Sequence, residues 1–140
     1  MNEIIVIEGA LVFDSWIDEV PHLRAHQDED RHLIYEGAGI ILDLLIKTAR
    51  QGHVLHVGGQ VLPGERSGRA VSDLRVSLEH GRKHSHTQTN AFGEFTFHGV
   101  PNGDFDLSIK LKDRRFTVRG LSSNDPRSWR IEPSMALGAD

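Results

Sequence analysis

Residues Thr89–Leu111 read TNAFGEFTFHGVPNGDFDLSIKL, and this stretch decides the fold class. Phe95 and Phe97 fall two apart, and after one reversal Phe105, Leu107, Ile109 and Leu111 alternate with Asp104, Asp106, Ser108 and Lys110. Successive side chains of a strand point to opposite faces, so this period predicts two strands, the second with a clean apolar side and a clean polar side. The reversal falls at Val100-Pro101-Asn102-Gly103, where proline presets φ and Asn-Gly tolerates the positive φ of a tight turn. In the turn before it, the Asn90 side chain can bond backbone amides two residues on, and Gly93 takes φ > 0 at little cost. Asn90, Gly93, Pro101 and Gly103 are therefore expected to shape turns, and Phe95, Phe97, Phe105 and Leu107 to enter the core.

Working outward, the same period recurs. Leu74, Val76 and Leu78 alternate in SDLRVSLEH, HSHTQT continues as a polar strand, and Phe116 and Val118 share a side in RFTVRGL. AGIILDLLIKT places Ile40, Leu42, Leu44 and Ile46 two apart and reads as a strand buried largely on both faces. HVLHVGGQVL is a further strand, in which Gly58 and Gly59 predict a bulge or the close approach of another backbone. EIIVIEGALVFDSW reads as one strand or a hairpin, and Val20 to Arg31 as a charged loop. Short strands with turn signals at this spacing predict an all-β fold, an antiparallel β-sandwich of seven or eight strands with at most one short helix. One domain over residues 1–140 is expected, with N-terminal strands and a polar loop in 1–52, the sandwich core in 53–121 and a tail in 122–140.

Composition narrows the functions. The chain has no cysteine, which excludes disulfides, thiolate metal sites and cysteine nucleophiles. With 16 basic against 20 acidic residues, net charge −4 and no basic block, nucleic acid is not expected as a partner. The first residues carry acid where a secretory signal needs positive charge, and the apolar run there is too short for a membrane helix, so a cytoplasmic location without membrane association is expected.

The order of these pieces carries a resemblance. From Gly59 to Leu111 the chain shows Gly59 and Val61, then Val76 and Leu78, then Thr87, Thr89, Asn90, Gly93, Phe95 and Phe97, then Val100, Pro101 and Gly103, then Phe105 and Leu107. In this order the sequence resembles the carboxypeptidase regulatory-like domain, a transthyretin-like or prealbumin-like sandwich. The N-terminal ALVFDSW, followed by a polar loop and RHLIYEGAGIILDLLI, looks like the leader of small stand-alone bacterial proteins carrying such a sandwich. The resemblance implies an accessory protein-interaction module in a bacterial signalling or regulatory setting, with no enzymatic activity and no cofactor.

The residues themselves offer few chemical sites. G-x-S-x-G, P-loop and dinucleotide fingerprints are absent. His26 and Glu29 have the H-x-x-E spacing of zinc carboxypeptidases, but that motif needs a third ligand and a far larger scaffold. His84 and His86 share a strand face that His80 and His98 could approach; His84, His86 and His98 form the alternative metal set, and a solvated strand face is the preferred reading. Trp16 and Trp129, each beside charged residues, are the candidate binding residues. Asp28 to Asp30 and Arg114-Arg115 read as solvated charge. A protein partner, or a second copy added at an edge strand, is expected. A carbohydrate-binding sandwich is a further alternative, weakened because aromatics are only 6% and most belong to the core.

Overall fold

The computed structural model describes residues 4–15, 30–49, 53–64, 68 and 70–122. These residues form ten strands and no helix, so no helix among them could cross a membrane. In chain order the strands are β1 (Ile5–Glu8), β2 (Ala10–Asp14), β3 (Asp30–Gly37), β4 (Ile40–Ala49), β5 (Val54–Pro63), β6 (Arg75–His80), β7 (Lys83–Gln88), β8 (Glu94–Pro101), β9 (Phe105–Lys110) and β10 (Arg114–Leu121). They make two five-stranded sheets, β1-β10-β9-β6-β7 and β2-β3-β4-β5-β8, referred to as the first and second sheet.

Period-two patterning builds both sheets. In β9 the side chains of Phe105, Leu107 and Ile109 are buried while Asp106, Ser108 and Lys110 are not. In β4 Ile40, Leu42, Leu44 and Ile46 are buried, and the intervening residues are half-buried or, at Lys47, exposed. That strand is therefore closed on one face only, because its second face is the outside of its sheet. Inward residues of both sheets, among them Leu33, Leu44, Val57, Phe97, Phe105 and Phe116, join one core cluster. Phe95, Phe97, Phe105 and Leu107 all enter it.

The turn of the opening stretch follows its expected chemistry. The Asn90 Oδ1 accepts bonds from the Phe92 and Glu94 amides at 2.9 Å each, and its Nδ2 donates to Glu94 Oε1 at 3.0 Å. Gly93 has φ 81° and Gly103 φ 142°. Pro101 closes β8.

Besides the two-faced burial expected of β4, three expectations are corrected. The described residues form ten strands, not seven or eight. The N-terminal stretch is neither one strand nor a hairpin: β1 pairs in parallel with β10, β2 pairs antiparallel with β3, and the sandwich-like arrangement is thus not wholly antiparallel. The cause lies at Gly9, where the chain crosses between sheets so close to the core that an added Cβ would come within 2.5 Å of the Phe116 ring. The third correction concerns Gly58 and Gly59. The β5–β8 register shifts between Leu55 and Val57, upstream of the glycines, and Gly59 leaves room for the ring of Phe95, its cross-strand neighbour, rather than for a backbone. β3 escaped the sequence reading because it opens with Asp30, Arg31 and His32, charges typical of a loop that here find partners.

Candidate functional site

The sequence-predicted site residues are not brought together. Trp16, Trp129, His26 and Glu29 lie outside the described residues. His84 and His86 stand exposed on β7 of the first sheet, whereas His98 lies on β8 of the second sheet with its ring against His56, centroids 5.2 Å apart. Among the described residues no group of three or more His, Asp or Glu could hold a metal ion. His84 Nδ1 instead sits 3.2 Å from Glu79 Oε2, and His86 Nδ1 3.0 Å from Ser77 Oγ. A serine–histidine contact has the atoms of a nucleophile and base, but in triads of that kind a third group orients the imidazole. The neighbouring acid, Glu79, is turned to His84.

Strand register arranges the outer face of the first sheet into chemically distinct rows. Arg115 of β10 lies opposite Lys110 of β9, and Lys110 opposite Arg75 of β6. Three cations thus stand side by side, about 10 Å from end to end at the ordinary spacing of strands. None has an ion-pair partner among the described residues. The next row holds hydroxyls: Thr117 opposite Ser108, and Ser108 opposite Ser77. The third row is acidic, with Asp106 opposite Glu79; Asp106 Oδ1 also accepts the Gly120 amide at 2.9 Å, which secures the bulge of β10. A shallow depression of about 300 Å³ runs over Arg75, Ser77, Glu79, Ser108, Lys110 and Arg115, with His84 and His86 of β7 along its rim.

A second feature lies at the N-terminal edge of both sheets. β1 and β2 are edge strands, and Ile4, Ile5, Val6, Leu11 and Val12 are each about half exposed. Below them, a buried ion pair holds the end of β2. Arg31 donates from Nε to Asp14 Oδ1 at 3.2 Å and from Nη2 to Oδ2 at 2.6 Å, and its Nη1 reaches the Ser122 carbonyl at 2.8 Å. One guanidinium so ties β2 and β3 to the end of β10. Tyr35 lies nearby, and burial raises its pKa above the ordinary 10.0, with Arg31 opposing the shift.

Sequence reasoning missed the cation row and, although it expected docking at an edge strand, did not locate that edge at β1 and β2. It read Arg115 as solvated charge and saw Arg75 and Lys110 only as the outward members of alternating runs. The outward positions were legible, but which cation stands opposite which depends on pairing between strands far apart in sequence. Comparison with protein-family models, curated proteins and solved structures finds no match for this chain.

Proposed function

We propose that the chain is a non-enzymatic interaction module of the carboxypeptidase regulatory-like, transthyretin-like kind, acting in the bacterial cytoplasm, and that it receives an extended segment of a partner protein by strand addition at β1 and β2. The supporting observation is the asymmetry between edges. Sheet edges offer unpaired amides and carbonyls, and proteins usually guard them with charge, proline or short length. The far edges follow that rule: β7 is polar throughout, with Lys83 and His84 exposed, and β8 carries Glu94 and Pro101 on its exposed positions. The near edges are guarded only by their short length and by Glu8, and otherwise expose Ile5, Val6, Leu11 and Val12. An extended peptide with alternating apolar residues would find backbone partners and apolar contacts there at once. Strands of four and five residues are short of the roughly 1,600 Å² of a standard interface, which favours a docked segment over a permanent dimer.

Replacing Val6→Lys together with Val12→Lys tests this reading. Both side chains are about half exposed, so the melting temperature stays within a few degrees while retention of the partner from a source-cell extract is lost. Equal retention by both proteins would remove the edge as the binding surface. A dimer in sedimentation equilibrium that the double variant abolishes, with nothing else retained, would assign the edge to a second copy.

A further inference from the structure

We propose that the outer face of the first sheet is a binding site for an acidic saccharide, with the anionic group held by Arg75, Lys110 and Arg115. This site is separate from the edge strands and does not depend on them. Like charges directly opposite one another across strands are destabilising. The fold nevertheless places three in one row and supplies none of them with a carboxylate among the described residues, although Glu79 and Asp106 stand four residues away on β6 and β9, two rows along the same face. Strand registry keeps the acids out of the cation row. An anion lying across β6, β9 and β10 would relieve the repulsion of all three cations together.

The neighbouring rows define what else the ligand carries. Ser77 and Ser108 can donate to and accept from hydroxyl groups, and Glu79 and Asp106 can accept from them. A ligand with an anion at one end and hydroxyls along its body matches that gradient from cation to hydroxyl to acid. A bare anion would leave the hydroxyl and acid rows unused. A nucleic acid would set its repeating phosphates against Glu79 and Asp106, and among the described residues lining the depression there is no Phe, Tyr or Trp ring, only the imidazoles of His84 and His86, on which a base could stack. The depression is open, which suits a chain of sugars laid along the sheet. Neutral saccharides normally stack on aromatic platforms, and here charge takes their place.

The proposal is tested by calorimetric titration at low salt with a uronic acid disaccharide, its uncharged methyl ester, a sugar phosphate, inorganic phosphate and a single-stranded oligonucleotide. The acid disaccharide, the sugar phosphate or both are expected to bind, the methyl ester at least tenfold more weakly, with affinity falling as salt rises. Lys110→Gln should weaken binding about tenfold and leave the melting temperature unchanged or higher, because it removes a like-charge neighbour. Ser77→Ala with Ser108→Ala should weaken the saccharide but not inorganic phosphate. Binding by neither acidic saccharide, or equal binding of acid and methyl ester, would overturn the proposal. So would inorganic phosphate or the oligonucleotide binding as tightly as the saccharide, or a Lys110→Gln variant that binds as the parent does.

Discussion

At Gly93 the backbone has φ 81°, and a Cβ placed there would run into the Val61 carbonyl oxygen. The same residue accepts the Val61 amide through its own carbonyl at 2.8 Å, so the two backbones are held in contact and cannot yield. Gly81 provides the comparison, with φ 60° and open space around its would-be Cβ. Gly81→Ala should cost about 1–2 kcal/mol, the ordinary penalty of the left-handed conformation. Gly93→Ala should add about 1–3 kcal/mol for overpacking on top of that. Denaturant unfolding of the two variants measures the difference, and equal losses would show that the Val61 contact carries no strain. The glycine itself was legible, since Asn90 bonding amides two residues on and a glycine just after it are a local turn device. Its close neighbour was not, because Val61 belongs to another strand.

Among elements, the Asp14–Arg31 pair shows why β3 was hidden. Three charged or titratable residues at its start look like a loop when read in isolation. In the fold the Asp14 carboxylate is fully buried and Arg31 spans it and the Ser122 carbonyl, while His32 Nε2 lies 2.6 Å from Asp43 Oδ1 on β4. Removing one member of a buried pair strands the other charge. Asp14→Ala should therefore cost about 3–5 kcal/mol, and Asp14→Leu with Arg31→Met less than the sum of its two single changes. The check is a double-mutant cycle by chemical denaturation; strict additivity would mean that the two side chains do not act as a unit. β1 and β2 were misread for a related reason. Two apolar runs joined at Glu8-Gly9 fit a hairpin as well as two strands of different sheets, and only Gly9 packing over Phe116 separates the two.

For the whole molecule, the first described strand pairs with the last described one: Ile7 lies opposite Phe116 in a parallel ladder. Such pairing closes nearly the entire described chain before it gains contacts, and topologies rich in distant pairings fold in milliseconds to seconds. Stopped-flow refolding should place this protein in that range, and a microsecond phase accounting for the full amplitude would contradict it. The sequence by itself determined the class of fold, the alternating strands from β4 to β10 except where pairing shifts their ends, the turn at Asn90–Gly93 and the identity of the inward phenylalanines. These follow from local rules, since side-chain alternation and the φ preferences of Asn, Gly and Pro operate within a few residues. Tertiary structure alone decided which strands share a sheet, that β1 runs parallel to β10, that His98 stands apart from His84 and His86, and that Arg75, Lys110 and Arg115 form one row. Each of those depends on register between segments distant in the chain, and a shift of one residue would turn an outward row into the core.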